Sequence, residues 1–437
     1  MIVDEAIEHS RAVLSDVLGL SLITILSNDP MDTVHLNKQS IWIRNDMNNL
    51  WKSLSLRALS MATTQGDIAS PSVIIDEEDN PEHLLVLVHG IMGSPGDWTY
   101  VQAELKRQLG RSFMIYASSS NAYTKTFTGI DEAGKRLAEE IMLVVKERKS
   151  LKKISFLAHS LGGLIARYGV AALYTPIVSS DLSTGNRNPL CSSNNGLIAE
   201  LEPINFITLA TPHLGVRGKK QLPFLFGVSI LEKLAAPMAP IFAGHTGSQL
   251  FLTDEEPNKP PLLLRMASDC EDGKFISALG AFRSRTIYAN ICYDHMVGWR
   301  TSSIRRETEL IEQPSTRSLD GYKHVVEVEH CPPISSDGPR FPPEATKAKE
   351  AAQNEPSTQN TLEYHEILEE EMIRGLQQLG WKKVDVSFES APLPFFAHNN
   401  INVKNERLHN AGAGVIAHVV DSIKQQESDT LVAAATL

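Results

Sequence analysis

From residue 83 onwards, short apolar runs alternate with stretches of helical periodicity, which is typical of βαβ units. The runs are largely apolar rather than alternating with polar residues, so each predicts a strand that is buried on both faces, as in a parallel sheet. Six runs carry this signal, over 83–90, 112–120, 152–159, 204–215, 285–294 and 382–389. We therefore expect an α/β fold with a mostly parallel, doubly wound sheet.

Helical periodicity fills the intervals between these runs. Helices are predicted over 97–109, 130–147, 161–174 and 411–424. In the second of them, Leu137, Ile141 and Val144 recur at the spacing of one helix face, and Thr128 stands where it would cap the first turn. These helices are expected to cover the faces of the sheet.

Three insertions interrupt the alternation of predicted strands and helices inside a domain that we place at 81–425. They are a polar segment over 175–201, a segment over 216–282 that is unusually apolar in its first part, and a partly disordered, proline-rich segment within 300–358. Residues 1–80 form an N-terminal extension of unassigned role, and residues 426–437 are expected to form a flexible tail.

The second insertion concentrates apolar side chains at Phe224, Leu225, Phe226, Ile230 and Leu231. Apolar surface of this kind between two strands fits a lid-like, helical insertion that forms an acyl-chain wall beside an active site. A pair of buried helices explains the same residues equally well, and both interpretations stay open.

Charge and cysteine content narrow the possible partners of this 437-residue chain. Its 52 acidic and 41 basic side chains give a net charge of −11, which argues against nucleic-acid binding. Four cysteines without CxxC spacing fit reduced thiols in the cytoplasm. We expect no metal, because His365 and Glu366 lack a second histidine at position 369, which is Glu369. An organellar transit peptide is not excluded, since residues 41–65 are rich in Arg, Lys and Ser.

The stretch KKISFLAHSLGG, residues 152–163, places a serine where a buried strand turns into a helix. Ala158, Ser160 and Gly162 match the GxSxG nucleophile elbow except that alanine replaces the first glycine. Small residues such as Gly162 and Gly163 are required because strand and helix pack closely around such a turn. Ser160 is therefore the candidate nucleophile, beside the positive end of a helix dipole.

An oxyanion hole is predicted from two backbone N–H groups. One is that of Leu161, the residue after the serine. The other is that of Ile91 in VHGIMGSPGDW, residues 88–98, where the turn glycine Gly90 follows the first strand. His89 in the same turn is interpreted as structural, because a base is expected after the serine in chain order.

The α/β-hydrolase order of serine, acid and histidine points to the other two residues. Asp294 follows the predicted strand over 285–294, where the acid is expected. His398 lies in SAPLPFFAHNNINVK, a predicted loop between the last strand and the final helix, where the base is expected. His409 and His418 compete for that role. His324 and His330, in HVVEVEH, share one side of a predicted strand but lack metal-ligand partners.

Four segments together resemble the putative serine esterase family of eukaryotic lipase-like α/β-hydrolases, whose relatives include lipid-droplet phospholipases. They are VHGIMGSPGDW (88–98), AHSLGG (158–163), ATPHLG (210–215) and NICYDHMVGWRTSSI (290–304). The resemblance implies an α/β-hydrolase fold with Ser160 as nucleophile, Asp294 as acid and His398 as base. It covers about residues 80–305 and says nothing of the first 80 residues or of the proline-rich insertion.

These observations predict a serine esterase or lipase that cleaves lipid-like carboxylic esters without a cofactor, in peripheral contact with a membrane or lipid-droplet surface. An acyltransferase or thioesterase would use the same three residues. A non-catalytic scaffold that binds lipid or protein partners is the alternative from another class.

Overall fold

A central sheet of seven strands organises the part of the chain that the computed structural model describes, residues 80–177, 196–216, 243–256, 259–310, 317–335, 347 and 358–435. In chain order the strands of the described residues are β1 His83–Val88, β2 Phe113–Ala117, β3 Lys153–His159, β4 Tyr174–Pro176, β5 Gly196–Ile198, β6 Glu202–Leu209, β7 Asp269–Cys270, β8 Gly273–Lys274, β9 Ser284–Asn290, β10 Val325–Cys331 and β11 Trp381–Val386. The central sheet has the order β10-β11-β9-β6-β3-β1-β2.

Ten labelled helices accompany these strands within the same described ranges. They are α1 Thr99–Leu109, α2 Ile130–Glu147, α3 Leu161–Ala172, α4 Leu262–Arg265, α5 Phe275–Gly280, α6 Trp299–Ser303, α7 Thr358–Gln377, α8 Ala397–Asn400, α9 Glu406–His409 and α10 Ala413–Ala435. A further helical segment covers 243–250. Among the helices described here, none has both the length and the apolar character that crossing a membrane requires.

The sheet is mostly parallel, as the sequence predicts. β1 pairs in parallel with β2 and β3, and the parallel pairing continues through β6, β9 and β11. β10 alone in this sheet is antiparallel, at one edge. Because parallel strands point the same way, their carboxyl ends gather at one rim, where ligands bind in α/β folds.

Two apolar layers explain why the strand sequences are apolar on both faces. Along β1, Leu84 and Val86 pack on one side with residues of α2 and α3, while Leu85 and Leu87 pack on the other side with residues of α1 and α10. Successive side chains of a strand point to opposite faces, so a strand covered by helices on both sides must be apolar throughout.

The structure corrects two predictions about local structure and leaves two others outside the residues that it describes. Thr128 does not cap α2, because its hydroxyl donates to the Lys125 carbonyl and Gly129 occupies the capping position. The insertion over 175–201 is not simply a polar loop, since β4 and β5 at its ends pair as an antiparallel hairpin. The five apolar residues of the lid interpretation lie outside the described residues, and so does most of the proline-rich insertion.

The final helix is longer than its sequence predicts. α10 continues to Ala435, so it includes most of the segment expected to be a flexible tail. Its Glu427 is bonded to the sheet, because the carboxylate accepts hydrogen bonds from His83 Nδ1 at 2.7 Å and from Lys153 Nζ at 2.9 Å. Burial of the carboxyl raises its pKa, but these two partners outweigh burial and lower the pKa of Glu427 to about 2.

Glu427→Gln is expected to lower the free energy of unfolding by about 1 kcal/mol at pH 7. The effect is modest because the ion pair of Glu427 with Lys153 is partly exposed to solvent. The folded-state pKa lies below the ordinary 4.5, so the charged carboxylate stabilises the fold fully above about pH 4.5 and less as the pH falls towards 2. Urea unfolding of wild type and Glu427→Gln should therefore show that their free energies of unfolding become more alike as the pH falls from 4.5 to 2. A difference that stays constant down to pH 2 would contradict the ion pair.

Candidate active site

Ser160 lies at the turn between β3 and α3, with φ 56° and ψ −131°. A positive φ is costly for any residue with a side chain, so the surroundings must hold this backbone in place. The Ser160 N–H donates to the carbonyl of Leu209 at 2.9 Å, and the Thr211 hydroxyl donates to the carbonyl of Ser160 at 2.9 Å. The strained turn is therefore bonded on both sides to β6 and the loop that follows it.

Glycines around the turn are required by close approach of the backbone. A Cβ atom added at Gly162 would lie 2.3 Å from the carbonyl oxygen of Val88, and one added at Gly163 would lie 2.2 Å from the Thr211 hydroxyl. A Cβ added at Gly90 would lie 2.8 Å from Ser160 Cβ and 3.3 Å from its Oγ. The turn after β1 thus passes directly beside the serine side chain.

The three residues singled out by chain order meet at the rim of the sheet. His398 Nε2 lies 3.0 Å from Ser160 Oγ, and His398 Nδ1 lies 3.0 Å from Asp294 Oδ2. All three residues are buried. The predicted loop around His398 is instead the short helix α8, which begins one residue before the histidine.

Asp294 is held by hydrogen bonds to both carboxylate oxygens. Oδ1 accepts from the backbone N–H groups of Met296 and Val297, each at 2.9 Å, while Oδ2 also accepts from Asn290 Nδ2 at 2.8 Å. Burial raises the pKa of this carboxyl, but the facing His398 and these hydrogen bonds outweigh burial and hold the pKa below its ordinary value. A carboxylate therefore faces the imidazole at neutral pH.

The turn after β1 is fixed by bonds to one carbonyl. The carbonyl of Gly90 accepts from the N–H of Gly93 at 3.1 Å and from His89 Nδ1 at 3.0 Å. This carbonyl and the N–H of Ile91 belong to one trans peptide unit and point in opposite directions, so fixing the first also fixes the second. His89 is buried, and burial lowers the pKa of its imidazole, which fits the structural role predicted for it.

The competing histidines have other partners. His409 Nδ1 accepts from the N–H of Asn405, and His418 Nδ1 is bonded to the Tyr288 hydroxyl at 2.8 Å. Burial lowers the pKa of each of these two histidines to about 4. His324 lies before β10, which begins at Val325, so the expectation that His324 and His330 share one side of a strand is wrong. In the described ranges, no three His, Cys, Asp or Glu residues are grouped as metal ligands would be.

Two residues that sequence reasoning did not single out bond, through their side chains, to the backbone carbonyls of Ser160 and His398. One is Thr211 in ATPHLG, which holds the Ser160 carbonyl. The other is His159, next to the serine, whose Nε2 lies 2.7 Å from the backbone carbonyl oxygen of His398. Periodicity and charge single out neither residue; only their presence inside the two quoted motifs could have drawn attention to them.

Comparison with known protein families shows to which family the chain belongs. The family model described as "Putative serine esterase (DUF676)" matches residues 78–304, just over half of the chain. A mostly parallel sheet with a serine at a strained turn from a strand into a helix is the arrangement of the α/β-hydrolases. The chain belongs to this family of serine esterases.

Two curated yeast proteins are similar to the chain. "Putative lipase ROG1" of Saccharomyces cerevisiae is 27% identical over 299 residues, which are 67% of this chain and 38% of that protein. "Putative lipase C4A8.10" of Schizosaccharomyces pombe is 26% identical over 274 residues, 57% of this chain and 31% of that protein. The chain thus spans about a third of the length of these relatives.

Matches among solved structures include lipase B of Aspergillus fumigatus. It is 13% identical, with a TM-score of 0.30, and the match covers 51% of this chain and 40% of that one. Phospholipase PlaB of Legionella pneumophila, in complex with thio-NAD, is 15% identical with a TM-score of 0.27, over 50% of this chain and 40% of that one.

Proposed function

We propose that the protein hydrolyses carboxylic esters of lipid-like molecules through a covalent acyl-enzyme on Ser160. The observation that carries the proposal is the continuous chain of hydrogen bonds from Ser160 Oγ through the His398 imidazole to the Asp294 carboxylate. Nucleophile, base and orienting acid at these spacings are the parts that acyl transfer by a serine requires.

Each group has one task in this mechanism. The Ser160 oxygen attacks the ester carbonyl while His398 Nε2 accepts its proton. The resulting imidazolium is stabilised by the Asp294 carboxylate, and it then gives the proton to the departing alkoxide oxygen. A water molecule attacks the acyl-enzyme with His398 again as base, releasing the carboxylic acid and restoring the serine.

Two backbone N–H groups are suited to hold the oxyanion of the tetrahedral intermediates. The N–H of Leu161 belongs to the first turn of α3, where N–H groups have no acceptor within the helix. The N–H of Ile91 belongs to the peptide unit whose carbonyl is fixed by His89 and Gly93, directly after the glycine that touches Ser160. Losing one such donor typically costs about 10² to 10³ in rate.

The acyl-enzyme can be tested without mutation. When two esters share an acyl group but differ in leaving group, both must pass through the same intermediate. With a fixed concentration of methanol, the p-nitrophenyl and phenyl esters of one acid should therefore give the same ratio of methyl ester to free acid. A ratio that changes with the leaving group would mean that water attacks the ester directly.

Exposed apolar side chains near the three residues support a lipid-like substrate. Tyr293 and Met296 flank Asp294 and are 37% and 47% exposed, while Phe395, shortly before His398, is 61% exposed. Met92, next to Ile91, is 49% exposed, and the rings of Tyr293 and Phe395 lie 6.3 Å apart in an edge-on contact. Apolar side chains on three segments that also carry site residues suit contact with a membrane or lipid-droplet surface.

Phe395→Asp is expected to lower hydrolysis of a long-chain ester in phosphatidylcholine vesicles by about tenfold, because a charged side chain no longer enters the lipid. Hydrolysis of a dissolved short-chain p-nitrophenyl ester should stay within about twofold of wild type. Leu143→Asp is the matched control, since Leu143 on α2 is 63% exposed but lies on a helix that carries no site residue. Equal losses on both substrates, or equal losses in both variants, would contradict a lipid-contacting rim.

A further inference from the structure

His159, the last residue of β3, is bonded to the backbone of the candidate base and also lies against its ring. Its Nε2 lies 2.7 Å from the carbonyl oxygen of His398, and the two ring centroids are 4.7 Å apart at an angle of 48°. His159 is only 4% exposed. A buried imidazole thus connects the strand that precedes Ser160 to the helix that carries His398.

The chemistry of this bond fixes the state of the His159 ring. A backbone carbonyl only accepts hydrogen bonds, so Nε2 of His159 must carry the proton. Burial, reinforced by the neighbouring His398, holds the pKa of His159 well below its ordinary value. His159 is therefore a neutral donor at the pH where an esterase works, and it adds no charge beside the imidazolium that forms on His398.

The short helix α8 needs such a tether. It has four residues, Ala397–Asn400, and an isolated helix of that length has no stability of its own. Around it, the N–H of Ile401 donates to the Ala397 carbonyl and the N–H of Lys404 to the Asn399 carbonyl. The carbonyl of His398 lies between these two acceptors and is bonded to the His159 ring.

We propose that His159 is a positioning residue, which holds the His398 backbone so that its imidazole bridges Ser160 and Asp294. This inference rests on the proposed function and assigns a role to the residue before the nucleophile. Asp294 bonds only the imidazole ring of His398, so it does not fix the main chain from which the ring extends. The bond from His159 supplies that second restraint, between the serine's own strand and the base.

Two variants distinguish the hydrogen bond that His159 donates from the packing of its side chain. His159→Gln keeps an N–H donor near the position of Nε2, while His159→Met has similar length and shape but no donor. We expect His159→Met to lower kcat on a p-nitrophenyl ester by about 10²-fold with KM changed less than threefold, because a shift of about 1 Å in the base costs this much. His159→Gln should retain kcat within about fivefold of wild type.

The downfield proton NMR signal of the His398 Nδ1–H bonded to Asp294 gives a second, activity-independent readout. It should persist in wild type and His159→Gln and be broadened or lost in folded His159→Met, as judged by circular dichroism and thermal unfolding. Equal kcat in the two variants, with the signal unchanged in both, would overturn the positioning role. If wild type shows the signal but no ester turnover, the proposed function fails, while the signal in the two variants still decides the role of His159.

Discussion

Replacing Ser160 by alanine is expected to lower ester turnover by a factor of about 10⁴ to 10⁶. The variant lacks the oxygen that forms the acyl-enzyme, so the His398 and Asp294 pair has no nucleophile to activate. Some rate above that of water should remain, because the N–H groups that hold the oxyanion belong to the backbone and are unchanged. Initial rates on a p-nitrophenyl ester measure the effect.

The fold of the Ser160→Ala protein should be unaffected. The backbone hydrogen bonds of residue 160, to the Leu209 carbonyl and from Thr211 and the Gly163 N–H, do not involve the serine hydroxyl and survive the substitution. Ser428→Ala on the exposed side of α10 is the matched control and should keep full activity. If Ser160→Ala kept turnover within tenfold of wild type and an unchanged melting temperature, Ser160 would not be the nucleophile.

Asp294→Asn is expected to lower kcat by about 10⁴-fold while leaving the backbone in place. Two backbone N–H groups face Oδ1, so the amide oxygen must take that position and the amide NH₂ must face His398. His398 Nδ1 would then accept a hydrogen bond, and the proton would move to Nε2. In that tautomer Nε2, the nitrogen that faces Ser160, has no lone pair with which to accept the serine proton.

The matched control for this assignment is His409→Gln, which removes the competing histidine. Its ring accepts from the N–H of Asn405, directly before its own helix, so activity should stay within about threefold of wild type. Steady-state rates from pH 5 to 9 measure both variants. An Asp294→Asn protein that keeps a tenth or more of wild-type kcat, or a His409→Gln protein that loses activity a thousandfold, would contradict the roles given to Asp294 and His398.

The sequence predicts the positions of Ser160, Asp294 and His398, because these depend on the order of residues along the chain and on where the strands end. The six strands predicted from apolar runs are confirmed, and the strand predicted over HVVEVEH is β10, which is antiparallel at the edge of the sheet. The structure brings Ser160, Asp294 and His398 together because each follows a parallel strand, and such ends share one rim. Their catalytic roles, and those of Leu161 and Ile91, stay proposals until the variants are measured.

The remaining features depend on contacts that no local pattern encodes. Thr128 looks like a helix cap, yet its hydroxyl is bonded to Lys125, and no spacing rule foresees that choice. The helix around His398 is too short for periodicity to reveal. The bond from His159 joins residues that are 239 positions apart, so only the folded chain shows that the residue before the serine contacts the base.

Peptide mass spectrometry after treatment with a fluorophosphonate tests the central claim most directly, because the probe reacts covalently with an activated serine. We expect one phosphonyl group per chain at pH 7.5, on the peptide that contains Ser160, and no labelling when His398→Gln removes the base. An unlabelled wild-type protein, or a label on a different serine, would contradict the account.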